Sequence, residues 1–515
     1  MPRAPKPTFV TELPLVVSRA QDAVMLGRFE AGRRLCNAVL GDALKALDLM
    51  RQSKAWQAAR EMPKGKERSA AFKACNEHFG FTEYAMHAVA TAHKNDAGFA
   101  DRLGAHETQK IASRVFAALQ EYAFGKRGRP RFKGMHRPLH SMEGKSNAAG
   151  IRWHADTATV TWGKGFVLPV KMPSKTQDPY LSVCLKTETK YCRLVWRMEK
   201  AKRRWFVQLV QAGVAPAKYD FLSSGQTVGL DIGPSTVAIV GDDAVALERF
   251  APSVDQPWKQ MRVLQRAQDR SRRATNPQNF ESNGVAKKGR RQWVKSARYQ
   301  ARQTELADLE RKLAAARKRD HGELANKILG LGNLIQTEKL SYKGFQKNFG
   351  RSAKVRASGM FVSTLIRKAE SAGGKVVELN TQRLKMSQYD HQSGVCTKKP
   401  LSQRWHDLGG SGLLVQRDCY SAFLAKNVTE NQHKSSLLAE SWAAAEPLLR
   451  RAGLCVEQSE SGTRLRVPTV AIPSDRIARQ RRLVRGHARD VVADSSRMKR
   501  EPENPSQSAF RTPGR

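Results

Sequence analysis

Thr227-Val228-Gly229-Leu230-Asp231-Ile232-Gly233-Pro234-Ser235-Thr236-Val237-Ala238-Ile239-Val240-Gly241 is the stretch that decides how the chain is read. Val228, Leu230 and Ile232 alternate with Gly229 and Asp231, the period of a strand with two unlike faces. Gly233-Pro234 makes a tight turn, and a second apolar strand returns from it. An acid inside such a run is costly unless something pairs with it. Asp231 therefore reads either as a turn-capping residue at a strand end or as a metal ligand at the head of a sheet. Two later acids in similar settings favour the ligand.

The first is Glu338, where the apolar approach Leu331-Gly332-Asn333-Leu334-Ile335-Gln336-Thr337 ends. The second is Asp418, which follows Leu413-Leu414-Val415-Gln416-Arg417 and opens an apolar helix over 420–428. Taken alone, Asp418 would be an ordinary helix N-cap. Helical spacing is expected from 258 to 329, carrying the charge runs 270–273 and 287–291. A basic, Gly-containing loop (Lys343, Lys347, Arg351, Lys354, Arg356) precedes a helix over 360–371 with Phe361, Leu365 and Ala369 on one face. Gly373-Gly374 stops that helix before a strand over 375–379, and a polar insert occupies 382–412. Strand, helical crossover, strand, helix, strand is an α/β pattern.

Upstream, a strand over 9–17 is interrupted by Pro14, and Ser18 with Gln21 has capping-box spacing. Met25, Phe29, Leu35, Val39, Leu40, Leu44 and Leu47 then recur at helical intervals. Further helices are expected over 55–80, 83–94 and 107–124. Gly125-Lys126-Arg127-Gly128-Arg129-Pro130-Arg131-Phe132-Lys133-Gly134 excludes a helix. Its five charges around one ring suit a phosphate backbone with a base stacked on Phe132; a bare basic linker is the plain alternative. From 150 to 212 short alternating runs (151–153, 157–162, 166–170, 181–185, 191–198, 205–210) read as an antiparallel sheet or small barrel. A strand, a helical block and then strands suggest one β-domain with helices inserted into it.

The chain carries 90 Lys and Arg against 47 Asp and Glu, a formal net charge of +43 spread along its length. Such a field draws polyanions, and nucleic acid is the default partner. No apolar run of about twenty residues stands in the sequence, so no membrane partner is expected, and no secretory signal is read at the basic, extended start. Seven scattered cysteines without a C-x-x-C argue against a disulfide framework and for a reducing cytoplasm. The polar 456–515 segment is expected to be a basic, disordered tail apart from a short helix near 477–483.

Carboxylates brought together without a cation repel, and one must hold its proton. Mg²⁺ removes that penalty, and two such ions can polarise a phosphodiester and activate water for in-line attack. Asp231, Glu338 and Asp418 inside a cationic chain thus point to a nuclease.

Gly229-Leu230-Asp231-Ile232-Gly233, the Glu338 strand and Gln416-Arg417-Asp418 resemble the three RuvC motifs of the TnpB family, transposon-encoded RNA-guided DNA endonucleases related to compact type V CRISPR effectors. Gly128-Arg129-Pro130-Arg131-Phe132-Lys133 resembles that family's G-x-P-x-F-K loop. Phe29, Arg33 and Asn37 are similar to its N-terminal region, and Ser387-Gln388 with Leu401-Ser402-Gln403-Arg404 to the flanks of its zinc-binding insert. The similarity spans residues 8–430. It implies an α/β multidomain chain, with an RNase H-like (RuvC) nuclease domain plus a β-barrel wedge domain carrying a helical recognition insertion. The implied boundaries are 1–20 (wedge strand), 21–135 (recognition), 136–220 (wedge) and 221–455 (nuclease, with crossover 252–330 and target-binding insert 382–412). It implies Asp231, Glu338 and Asp418 as catalytic ligands of Mg²⁺, two ions in number. Lys126, Arg127, Arg129, Arg131, Phe132, Lys133 and Arg404 become nucleic-acid contacts, with guide RNA and target DNA as partners. Two features depart from the pattern. The paired cysteines of the insert are missing, leaving Cys396, His391 and His406, so no structural zinc is expected; and Tyr420 stands where the family often has Asn. Guided binding without cleavage, and transposition on the same fold, are the alternative functions.

Overall fold

The computed structural model describes residues 7–135, 138–173, 178–216, 225–289, 291–400, 402–458 and 468–470. The expectations for the basic start, Arg290, Leu401 and most of the tail, including its helix near 477–483, lie outside these residues; at the tail's beginning the expected disorder is corrected, since Val456 and Glu457 belong to a strand and Val470 exchanges two backbone hydrogen bonds with Leu247 at 2.9 and 3.0 Å. The chain divides into two compact units at Pro216.

In the first unit, β1 (Thr8–Pro14) stops at the proline. Ser18 and Gln21 form the full capping box that starts α1 (Arg19–Gln52), and all seven residues of the expected apolar stripe are buried. The helix expected over 55–80 is two, α2 (Lys54–Glu61) and α3 (Lys66–His78). Pro63 forces the break, because the residue before a proline disfavours helical backbone, and Met62 is extended. α4 (Glu83–Asp96) and α5 (Ala105–Ala123) complete the helices. The strands β2 (Ser141–Glu143), β3 (Ile151–His154), β4 (Thr159–Trp162) and β5 (Val167–Pro169) follow. Residues 181–185, expected as a strand, belong instead to helix α6 (Pro179–Leu185). Asp178 caps it by accepting from the Leu181 amide at 3.0 Å, and Pro179 suits its first position. β6 (Thr189–Glu199) and β7 (Lys202–Ala212) form a long hairpin.

One antiparallel sheet has the order β1-β7-β6-β2 and a second the order β3-β4-β5. β1 pairs with β7 across the whole helical block, so the helices are an insertion between two paired strands. Helices and strands share one apolar core, in which Phe29 meets Trp162 and Trp205 edge-on.

The second unit is built on a five-stranded sheet of order β10-β9-β8-β11-β12. Its strands are β8 (Thr227–Ile232), β9 (Thr236–Val240), β10 (Val245–Arg249), β11 (Leu334–Glu338) and β12 (Lys375–Leu379). The first three are antiparallel neighbours; β8, β11 and β12 run parallel. The crossover holds α7 (Asp255–Thr275) and α8 (Ala297–Leu329). It is not helical throughout: Asn276 leaves α7 and brackets Val294 with two hydrogen bonds of 3.0 and 2.8 Å, which puts Lys287 and Lys288 in the connection. The basic segment after β11 is helix α9 (Tyr342–Arg356), kinked at Phe349, rather than a loop, because Ser341 caps it and neither of its glycines has positive φ. α10 (Ser358–Ser371) buries Phe361, Leu365 and Ala369.

Beyond β12 come α11 (Thr381–Leu384), β13 (Trp405–Asp407), β14 (Leu413–Gln416), α12 (Arg417–Lys426), α13 (Ser435–Arg451) and β15 (Cys455–Glu457). The alternation of β8 separates two cores. Val228, Leu230 and Ile232 face a cluster with residues of α7, α8 and α10. Ala238 and Val240 of β9, which pair with Asp231 and Gly229, join a cluster with α12 and α13. Among the described residues no helix is long and apolar enough to cross a membrane.

Candidate functional site

Gly229 explains how the acids come together. A Cβ built there would lie 1.9 Å from the Ala422 carbonyl oxygen and 2.5 Å from the Lys426 amide nitrogen, so α12 rests directly on the backbone of β8. Asp231 is two residues along the strand and therefore on the same face. Asp418 is four residues before Ala422, one turn back along α12. On the neighbouring strand, Gln336 pairs with Gly229 and Thr337 with Leu230, and one further step sets Glu338 level with Asp231. With its amide nitrogen turned to the helix, Gln336 donates to the carbonyls of Ala425 at 2.7 Å and Val428 at 3.3 Å, which puts the Gln336–Glu338 face under α12 as well.

The electrostatics agree with this placement. Burial first, then the charges of Asp418 and Glu338, hold the Asp231 carboxyl well above the usual carboxylate range, against a smaller opposing pull from Arg417. Burial pushes the Glu338 carboxyl up to about 7. Each of the three acids nevertheless keeps an edge open to solvent. Asp418 is not the N-cap of its helix; Gln416 is, accepting from the Cys419 amide at 2.7 Å, which leaves the Asp418 carboxylate for other work. Arg417 lies 3.4 Å from that carboxylate and is itself tied to the Gln403 carbonyl at 3.0 Å. Arg404, about half exposed, lies 3.9 Å from Asp418.

Among the described residues no group of three or more His, Cys, Asp and Glu is gathered as a ready metal cage. The donor set still suits a hard divalent cation in kind: oxygen ligands, partly desolvated, with an excess of negative charge that Arg417 alone does not offset.

In the first unit, the 125–134 segment is irregular apart from turns and is clamped to α1. Asn37 brackets the Lys133 backbone, donating to its carbonyl at 2.9 Å and accepting from its amide at 2.8 Å. Arg33 donates to the same carbonyl at 2.6 Å. Arg127 pairs with Glu121 at 3.2 Å and Arg129 with Asp48 at 3.1 Å, so two of the candidate phosphate ligands have acid partners. Lys126 and Arg131 are exposed, and Phe132 is 59% exposed, as a stacking ring requires.

In the insert, His391 and His406 are built into a packed polar cluster. The Tyr420 hydroxyl, buried, meets the His391 Nδ1 at 2.7 Å and its amide at 2.9 Å. His406 stacks on the Tyr420 ring and lies 3.3 Å from Asp390; Lys399 also meets its Nδ1. Cys396 is exposed. Tyr420 is thus the centre of the packing between α12 and the insert.

Sequence reasoning missed three contributors: Gly229 as a contact point, Gln336 as a strand-to-helix strut and Arg417 as the counter-charge. A glycine inside an otherwise apolar strand was the legible signal for the first, since it marks close approach of another backbone.

No protein-family model matches the chain, and no curated protein matches it. Among the solved structures that are similar are two complexes. One is a cryo-EM structure of the Cas12f1–sgRNA–target DNA complex, with a TM-score of 0.47 and 10% identity over 81% of this chain and 98% of that one. The other is a cryo-EM structure of the CRISPR-Cas12f ternary complex, with a TM-score of 0.28 and 12% identity over 79% of this chain and 82% of that one.

Proposed function

We propose that the chain is an RNA-guided DNA endonuclease of the RuvC type, dependent on Mg²⁺. The observation that carries this reading is geometric: the β8–β11 register sets Glu338 level with Asp231, and α12, resting on Gly229, brings Asp418 over the same face of the sheet. Three carboxylates from a strand, its parallel neighbour and the helix packed over both would hold the cation. Bound there, a divalent ion supplies a polarised phosphodiester and an activated water. Arg417, fixed by the Gln403 carbonyl, orients the Asp418 carboxylate. Arg404, at the solvent edge, would meet the phosphate backbone.

Under this reading the second unit is the nuclease, the helices α1–α5 are the recognition insertion, and the two antiparallel sheets are the wedge. Lys126, Arg127, Arg129, Arg131, Phe132 and Lys133 would hold guide RNA or target DNA, the guide supplying sequence choice by base pairing. Arg127 and Arg129 would exchange Glu121 and Asp48 for phosphate. The test is cleavage: chain purified with its co-expressed RNA, given Mg²⁺ and a plasmid bearing the matching target. Cutting that Asp231→Ala abolishes supports the proposal. No cutting, or cutting that survives Asp231→Ala, sinks it. The second reading is guided binding without cleavage; target retention in gel shift without any cut product would select it.

A further inference from the structure

The first unit contains a cavity of ≈ 420 Å³ between α1, α5 and the 125–134 segment. That is within the range of small-molecule pockets, roughly 300–1,000 Å³. Its floor is apolar: Leu40, Ile111, Val115 and Leu139 are all buried and all line it. Its rim is cationic, with Arg114, Arg127, Arg131 and Lys133 against the single acid Glu121, which Arg127 already pairs. Among the described residues Arg114, Arg131 and Lys133 have no carboxylate partner. The clamp of Asn37 and Arg33 on the Lys133 backbone fixes that side of the rim, so the cavity is held open by hydrogen bonds rather than by a floppy loop.

An apolar chamber of this volume beneath a cationic rim matches a ring system carrying a negative charge. Arg114 is steadied by a 3.1 Å bond to the Ser141 carbonyl, which leaves its charge unneutralised; bare phosphate has no use for the floor, and a lipid chain has no use for three cations without a carboxylate partner. A stacked duplex is far larger than ≈ 420 Å³ and cannot enter. We propose that this cavity receives one unstacked nucleotide, its base against Leu40, Ile111, Val115 and Leu139 and its phosphate at Arg114, Arg131 and Lys133. The proposal rests on the nucleic-acid reading above and deepens it. The shared chemistry has two sources, a strand end or flipped base of a polynucleotide and a free mononucleotide.

Cys36 lines the same cavity and is partly accessible. Burial pushes its thiol up, while Lys133 and Arg114 act on it in the opposite sense, which puts both cations within electrostatic reach of one atom. Apart from Cys396, which is exposed, the remaining cysteines are buried. In full-length Cys396→Ser protein stripped of RNA by high salt, maleimide labelling of Cys36 is followed by peptide mass spectrometry. A short single-stranded oligonucleotide is expected to slow labelling about tenfold at saturation, and Arg131→Ala to reverse most of that protection. Protection by the oligonucleotide at concentrations where adenosine monophosphate gives none identifies the polynucleotide source; equal protection by the mononucleotide identifies the free one. If the oligonucleotide binds by fluorescence anisotropy but Cys36 labels at its free rate, the cavity proposal is overturned while the nucleic-acid reading stands. If an acidic peptide protects and neither nucleotide probe does, the ligand class is wrong. If the oligonucleotide does not bind at all, both readings fall.

Discussion

Replacing Gly229 by alanine tests the placement of α12 more sharply than any change to the acids themselves. The new Cβ would fall 1.9 Å from the Ala422 oxygen and 2.8 Å from the Lys426 Cβ. The helix would have to retreat by about 1.5 Å to reach ordinary contact. Backbone cannot swing aside as a side chain can, so the cost belongs at or above the upper end of overpacking penalties, about 3 kcal/mol. For a unit of this size that lowers its melting temperature by roughly 6–12 °C. Gly241→Ala is the control, since its nearest neighbour would be Leu331 Cβ at 3.5 Å, an ordinary contact, and its φ is not positive. Calorimetry should show the second unit's transition falling in the first variant and within about 2 °C of wild type in the second. Hydrogen exchange should show α12 amides losing protection in the first alone. If Gly229→Ala melts within a degree of wild type with α12 still protected, the helix does not rest on β8, and the placement of Asp418 beside Asp231 has no support.

Tyr420→Phe removes the hydroxyl that serves His391 twice and should cost about 1–3 kcal/mol, read by urea unfolding; with Mg²⁺ held constant, a zinc-selective chelator should leave the wild-type curve unchanged. Asn37→Ala frees the Lys133 backbone and should weaken oligonucleotide binding several-fold in anisotropy, with little change in melting of the second unit. Glu107 is fully buried, and burial raises its carboxyl against smaller opposing charges of His106 and Arg28. Its folded value lies above its unfolded one, so its contribution to stability is complete below pH of about 4 and is lost as pH rises through the raised value. Glu107→Gln should therefore stabilise the first unit at pH 8 and do much less at pH 4, by urea melts at both.

What the sequence made legible follows from where side chains alone decide. The period of β8, the stripe on α1 and the Ser18–Gln21 box are local patterns, and each forms where the pattern places it. Errors arose where one capping group outweighed a pattern: Asp178 with Pro179 turned an alternating run into α6, and Ser341 drew a glycine-containing basic segment into α9. For the site, the three acids could be picked out by their settings at element ends. Their common face could not, because it depends on the β8–β11 register and on a helix reaching Gly229 from nearly two hundred residues away in sequence. The partner of Arg129 was hidden for the same reason, whereas that of Arg127 was not remote. Glu121 lies close by in sequence, but Asp48 comes from a distant helix.

The central claim is that Asp231, Glu338 and Asp418 act as one cation-holding set. Mn²⁺ binding, followed by electron paramagnetic resonance on the full chain, measures it without reference to cleavage. The account predicts saturable binding in the wild type and its loss, by tenfold or more in affinity, in Asp231→Asn, Glu338→Gln and Asp418→Asn alike. Wild-type affinity retained in any one of the three would contradict it.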